Sequence, residues 1–330
     1  MKNNKNFIRT FIIVLVAGVT FSCDKYLEED LRDALSPSTF YNNDNEATIA
    51  VNGGYALLTG EQGMRSRNWT QMWQMGTDES SSNRGVYKEG HNYTYTEGVR
   101  DGEDFWNLMY EIVRNTSGAL PKIEGNSNLS QTVIDQSVGQ LLVIRALAYY
   151  NLTRMWGDVP FFTELLEPKE LATLKRTPYS TVTTAMKSDL QRAYGLLPDS
   201  YSGSGNEGRF TKWAAMALKA KFHMFDREWS DMKAACVDII NNSPHKLMDN
   251  FENVYNWRNY SPSTSMNSEQ ILWIDFAGVS GNGVVVSPLS RSNSLYEEFN
   301  PRLRDEPKSK SEKAALQAAL AANGDAMTGY

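Results

Sequence analysis

Two cysteines in 330 residues are too few for a disulfide framework, so nothing in this chain calls for oxidative cross-linking. Cys236 lies in the run MKAACVDIINN, among Ala234, Ala235, Val237 and Ile240. With no basic neighbour to favour a thiolate, it reads as a small buried hydrophobe. Histidine is nearly as scarce. His91, His223 and His245 are scattered and lack metal-ligand spacing with cysteines or carboxylates. No Gly-rich phosphate loop and no Gly-x-Ser-x-Gly elbow occurs. Charge of one sign is also missing: 33 basic and 39 acidic residues, net −6, are spread evenly and give no footprint for nucleic acid. Asp78 and Glu79 are carboxylates that a glycosidase reading could use, but adjacent residues rarely face one substrate, and Asp78 reads as a cap or loop brace. These absences predict no metal, no cofactor and no catalytic residue.

A long apolar run is lacking as well. The stretch from Phe11 to Val19 follows Lys2, Lys5 and Arg9 and closes on Thr20 and Ser22. It is shorter than the roughly 20 residues needed to span a bilayer core, so it reads as a signal peptide over residues 1–22. Cys23 comes next, followed by the acidic residues Asp24, Glu28, Glu29 and Asp30. This is a lipobox with Thr20 where leucine is usual, and it predicts lipidation of Cys23 and an acidic tether over residues 23–45. Two or three acyl chains, at about 0.8 kcal/mol per buried CH₂, would hold the protein on its membrane.

What is abundant is aromatic surface. Eight Trp and 16 Tyr bring the aromatic share to 11%, which directs attention to stacking surfaces. Most of the remaining pattern is helical. Ala47, Ala50, Val51, Tyr55 and Leu58 form a stripe within residues 46–58, with a bend expected at Gly53 and Gly54. Residues 60–104 then lose the helical period apart from a turn at 69–75, and read as a long loop rich in Gly, Ser, Asn, Trp and Tyr. A helix over 103–123 carries Phe105, Leu108, Met109, Ile112 and Val113. Another over 131–156 carries Ile134, Val138, Leu141, Leu142, Leu152 and Met155 and stops at Gly157. A third is framed by Thr177 as cap and Pro178 in the first turn, with Val182, Met186, Leu190 and Tyr194 inside it. A fourth begins with Thr211 as cap and places Ala214, Ala215, Ala217 and Ala220 at a helix crossing. A fifth covers 230–242. Paired helices of this length predict tetratricopeptide-like stacking, in which each pair buries its apolar face on the next. After residue 250 a mixed region begins, with a strand expected in SEQILWIDFAG from Ser268 and a short helix near 312–322.

These residues carry a family likeness. RALAYYNLTRMWGDVPFF, Arg145 to Phe162, resembles the helix that runs into a Tyr-Gly-Asp-Val-Pro turn in the SusD/RagB family of outer-membrane lipoproteins, with Trp156 in place of the Tyr. CDKYLEE, MGTDESSS, FWNLMYEIVRNTSGAL, TPYSTVTTAMKSDLQRAYGLLP, DREWSDMKAACVDIIN and SEQILWI match the same family in order along the chain. Phe222 and His223 depart from its smaller or aliphatic residues, and SLYEEFNPRLRDE resembles only the start of its C-terminal half.

The resemblance implies a mainly α fold of tetratricopeptide-like helix pairs with an irregular, loop-rich ligand face and a few short strands. It implies a helical domain over 46–250 with the loop 60–104 inserted, and the beginning of a C-terminal domain over 251–330. It also implies a surface-exposed, lipid-anchored outer-membrane protein that acts as a lid on a SusC-like TonB-dependent barrel and captures oligosaccharides or, in some members, peptides. A surface hydrolase and a tetratricopeptide adaptor are the competing readings. Sugar binding needs flat aromatic faces with amides, carboxylates and guanidinium groups beside them. Asn83, Arg84, Tyr87, Asn92, Tyr93 and Tyr95 offer that vocabulary in the loop, and Tyr93 and Tyr95 would share a face if extended. Trp69 and Trp73, four residues apart, and Trp257 with Tyr260 are further candidates.

Overall fold

The computed structural model describes residues 40–59, 93–94, 100–202, 206, 208–250 and 268–272. The chain divides into two units, residues 1–42 and 43–330. In the first, the described part is Phe40 to Asn42, with the Phe40 and Tyr41 rings edge-on at 4.6 Å. The second holds the helices: α1 Asp44–Thr59, α2 Arg100–Ile123, α3 Gln131–Trp156, α4 Pro168–Leu171, α5 Tyr179–Leu196, α6 Lys212–Phe225 and α7 Trp229–Asn242, with the two-residue strands β1 Val159–Pro160 and β2 Arg176–Thr177 between them. The fold is mainly α, as the sequence predicts. No described helix is long and apolar enough to cross a membrane.

Successive long helices pack on one another, α2 on α3, α3 on α5, α5 on α6 and α6 on α7, while α1 lies against both α2 and α3. The predicted stripe of α2 is the buried one: Phe105, Leu108, Met109, Ile112 and Val113 are all inside. For α3 a stripe understates the burial. Every residue from Ser137 to Thr153 is buried, whereas Ile134 and Met155 at its ends are only half-buried. The physical reason is that α1, α2, α5 and α6 surround it, so its polar residues had to find partners in place. Asn151 Nδ2 donates to the Leu147 carbonyl at 2.9 Å, and Thr153 Oγ1 to that of Tyr149 at 2.7 Å. Gln140 Oε1 accepts from the Tyr55 hydroxyl at 3.0 Å and from Arg209 Nη1 at 3.2 Å.

Two glycines mark close approaches. α1 runs through Gly53 and Gly54 as one helix, and a Cβ on Gly54 would lie 3.1 Å from Ile144 Cδ1 on α3. On α3 itself, a Cβ on Gly139 would sit 2.6 Å from Leu197 Cγ.

Several expectations need correction. Thr177 is not the cap of α5. It is drawn into the antiparallel pairing of β1 and β2, opposite Val159, so Pro178 takes the N-cap position with extended backbone and the helix starts at Tyr179. On α7, Ala235 and Ile239 face the core, while Ala234, Val237 and Ile240 are exposed. Cys236 is half-buried rather than buried; it packs at the edge of the cluster of Trp213, Met216, Ala220, Ala235 and Ile239. Ser268 to Leu272 form a turn and bend, not the start of a strand. Backbone and side-chain bonds draw this stretch back onto the segment after α7: Lys246 N–H donates to the Ser268 carbonyl at 3.1 Å, Ser268 Oγ to the Lys246 carbonyl at 2.8 Å, and Met248 N–H to Glu269 Oε1 at 2.7 Å.

Candidate functional site

A cleft of about 400 Å³ opens between α2 and the segment that follows α3. Its first wall is built by helical spacing. Trp106 and Tyr110 are four residues apart on α2 and so point the same way; their ring centroids are 4.9 Å apart with a 52° tilt. Asn107, Glu111 and Arg114 run alongside them at helical spacing and are exposed on the rim. None of these three side chains is paired among the described residues.

The second wall depends on the Trp-Gly-Asp-Val-Pro turn. α3 ends at Gly157, whose φ of 68° and ψ of −114° belong to a backbone region that glycine enters without penalty. Trp156 meets Trp106 edge-on at 5.0 Å and stacks near Phe105 at 6.2 Å. Pro160 and Phe162 then return along α2. The Tyr110 hydroxyl donates to the Pro160 carbonyl at 2.8 Å, and the Tyr110 and Phe162 rings stack at 6.1 Å with only 19° between planes. Burial pushes the Tyr110 phenol well above its ordinary pKa, with Tyr149 adding to the shift and Arg176 opposing it. Phe162 is itself clamped by Tyr149, whose hydroxyl donates to the Phe162 carbonyl at 2.8 Å and accepts from its N–H at 2.9 Å. Arg145 Nη1 holds the next carbonyl, Thr163, at 3.0 Å, and its Nη2 pairs with Asp189 at 2.7 Å.

Leu171 and Leu174, both half-buried, complete the lining. They are carried by α4 and the turn after it, a four-residue helix held by a capping box: the Glu167 and Glu170 side chains each accept from the other's backbone N–H, and Pro168 occupies the first turn. Arg176 sits behind, donating to the Asp158 carbonyl at 2.6 Å with its guanidinium carbon 5.9 Å from the Trp106 ring centre. The result is an aromatic face and an apolar face, with three polar groups along the opening that have no partner among the described residues.

A second cluster contains a histidine. His223 Nδ1 lies 2.5 Å from Glu228 Oε2, and these two with Asp231 bring potential ligand atoms within 4.8 Å of one another. The positive charge there is already supplied by the protein. Lys187 Nζ donates to Asp226 Oδ2 at 2.7 Å and to both Glu228 oxygens at 2.8 and 2.7 Å. Asp226 also accepts from the Tyr179 hydroxyl at 2.8 Å. The cluster is an ion-paired joint between α5 and the α6–α7 turn. Phe222 is fully accommodated beside it, edge-on to Tyr150 at 5.1 Å.

Of the ligand residues expected from sequence, Tyr93 is described: it is 75% exposed, with φ of 56°. Trp69, Trp73, Asn83, Arg84, Tyr87, Asn92, Tyr95, Trp257 and Tyr260 lie outside the described residues, as do the signal segment, Cys23, Asp78, Glu79, His91 and residues 312–322. Sequence reasoning does not single out the cleft residues Trp106, Tyr110, Asn107, Glu111 and Arg114. The visible signal is an aromatic pair at i, i+4 just off the predicted core stripe of α2, but helical spacing alone cannot separate a cleft wall from packing.

Comparison with known proteins gives a consistent result. Residues 25–224 match the profile of the SusD-like family described as starch-binding and associating with the outer membrane. SusD-like protein P25 of Formosa agariphila is 35% identical over 96% of this chain and 63% of its own length, and SusD-like protein P2 of the same organism is 25% identical over 84% of this chain and 55% of its own length. The chain thus spans little more than half the length of these relatives. Among solved structures, a laminarin-binding SusD-like protein superposes with a TM-score of 0.61 at 24% identity, covering 70% of this chain and 51% of the other. A SusD superfamily protein from Bacteroides vulgatus gives 0.62 at 18% identity, covering 71% of this chain and 50% of the other. At these identities the superpositions establish the fold.

Proposed function

Because this chain belongs to the SusD-like family, we propose that it binds oligosaccharide nutrients at the cell surface and delivers them to a SusC-like TonB-dependent barrel, without catalysis. The observation that carries the reading is the cleft. Its aromatic pair, Trp106 and Tyr110, stands beside an amide, a carboxylate and a guanidinium that have no partner among the described residues. Aromatic faces take the C–H face of a sugar ring, and the polar row pairs its hydroxyls. The names of the family and of its laminarin-binding relative agree with a glycan ligand.

The remaining parts of the proposal rest on the sequence. Acylation of Cys23 would tether the protein to the outer face of the outer membrane, with the acidic residues 24–30 as leader of the tether. Tyr93 and Tyr95, with Trp69, Trp73, Trp257 and Tyr260, are further candidates for ligand contact by residue type.

The test is affinity electrophoresis of the full chain through gels containing soluble glycans, combined with detergent extraction from the native host. Retardation by at least one glycan and co-purification of a large barrel protein are the expected results. Unretarded migration through every glycan gel would overturn the binding reading, and turnover of a retained glycan would overturn the absence of catalysis. Equal palmitate labelling of wild type and Cys23→Ser would overturn the anchor.

A further inference from the structure

Resting on the glycan reading, the cleft also constrains which sugar it holds. A site for an ordinary hexose surrounds the ring with hydrogen-bonding groups, because each buried hydroxyl left without a partner costs free energy. Here the amide, carboxylate and guanidinium of the lining all come from α2. Asn107, Glu111 and Arg114 line the cleft from α2, while Leu171 and Leu174 line it from the segment after α3, and neither leucine side chain offers a hydrogen bond to a ring substituent. The leucines are not incidental loop residues: the capping box of Glu167 and Glu170 fixes α4, and the Leu174 N–H bonds the Leu171 carbonyl at 3.2 Å, so both are held in place by local structure.

The aromatic wall limits the size of the occupant. Trp106 and Tyr110 lie 4.9 Å apart and are tilted by 52°, so they form one angled cradle and not two coplanar platforms for successive sugars. At about 400 Å³, near the small end of ligand sites, the cleft has room for roughly one or two sugar rings.

We infer that this cleft binds a single pyranose bearing a methyl-terminated substituent, with the ring against Trp106 and Tyr110, its hydroxyls toward Asn107, Glu111 and Arg114, and its methyl group against Leu171 and Leu174. Two kinds of sugar carry that chemistry, a 6-deoxyhexose and an N-acetylhexosamine. A hydroxymethyl group in the same place would set a hydroxyl against leucine side chains that offer it no hydrogen bond. An apolar peptide side chain would satisfy the leucines but leave the polar row unused.

Saturation-transfer NMR and calorimetry on the full chain with matched sugars test the inference. The pairs are L-rhamnose against L-mannose, L-fucose against L-galactose, and N-acetylglucosamine against glucose. The methyl-bearing member of at least one pair binds roughly tenfold more tightly, the scale of one apolar group in a fitted pocket, and the pair that responds identifies which source of methyl is used. The double variant Leu171→Ala with Leu174→Ala reduces that preference toward unity. Asn107→Ala, at an exposed rim position, weakens both members of the pair equally. Equal binding within all three pairs by the wild-type protein overturns the inference even if the leucine variant fails to fold. So does saturation transfer to N-acetyl-leucine amide but to no sugar, which would indicate a peptide ligand. If glycan gels still retard the protein in either case, the general glycan reading survives; if they do not, both fail together.

Discussion

The carboxylate of Asp158 accepts a hydrogen bond from the backbone N–H of Tyr179, 2.8 Å away and 21 residues further along the chain. The first N–H groups of a helix have no partner within it. α5 has proline at its N-cap position and no side-chain cap of its own, and the turn after α3 supplies the missing acceptor. One residue thereby sets the start of α5 and the direction of the segment that forms the cleft's second wall.

Asp158→Ala is accordingly expected to lower stability by about 1 kcal/mol, the usual cost of losing an N-terminal cap. Asp158→Asn, which keeps an acceptor oxygen, should recover most of it. Urea denaturation followed by far-UV circular dichroism measures both. An alanine variant as stable as wild type would show that water replaces the carboxylate without loss.

Arg145 and Asp189 make a largely buried pair at 2.7 Å, with 6% and 20% of their side chains exposed. Asp189→Ala leaves the guanidinium inside with only the Thr163 carbonyl, and should cost about 3–5 kcal/mol. The double change Arg145→Met with Asp189→Leu is expected to recover a large part of that loss, because it removes the stranded charge. Denaturation midpoints of Arg145→Met, Asp189→Leu and the double variant, each against wild type, close the cycle.

The Lys187 joint predicts a stability plateau with two limits. Hydrogen bonds from Lys187 and then His223 hold the Glu228 carboxyl below its ordinary pKa, against a smaller opposing effect of burial. Its contribution is therefore complete above the usual glutamate value of about 4.3 and is lost as pH falls through the lower, folded value. Burial alone would lower the Lys187 pKa, but its bonds to Asp226 and Glu228 outweigh this and raise it. That contribution is complete below about 10.4 and is lost as pH rises through the folded value. Lys187→Met should lower the melting temperature at neutral pH and flatten both limbs of a melting-temperature profile against pH. A profile of unchanged shape would contradict the assignment.

Gly139 offers a packing test. A Cβ there would lie 2.6 Å from Leu197 Cγ and 2.8 Å from its Cδ2, so Gly139→Ala should destabilise by about 1–3 kcal/mol through overpacking. Adding Leu197→Ala removes the clashing atoms, and the double variant should be less destabilised than the sum of the two single changes. Additive losses would mean that the loop after α5 moves aside freely.

Much of the scaffold is legible in the sequence, because amphipathic periodicity and turn residues act locally. The inward stripe of α2 and the stop of α3 at Gly157 follow from spacing and from glycine's freedom at positive φ; Thr211 does occupy the N-cap position of α6, although its side chain makes no capping bond. Local signals mislead where a distant segment competes with them. Thr177 is a good cap by residue type, yet pairing with Val159 takes it into β2. The stretch that begins at Ser268 has strand-like composition, yet Ser268 and Glu269 fold onto Lys246 and Met248. Hydrophobicity alone would place Cys236, Val237 and Ile240 inside, and only the position of Trp213 and Met216 decides which side of α7 is buried.

The sequence by itself determined the family, the mainly α class and the order of the helices, since each rests on residues close together in the chain. Only the tertiary structure decided that α3 is buried all round from Ser137 to Thr153, and that Trp106, Tyr110, Leu171 and Leu174 line one open cleft. The reason is one of range. A row of aromatics on a helix has the same spacing whether it meets a core or a ligand, and which it meets depends on where the Gly157 turn sends the chain.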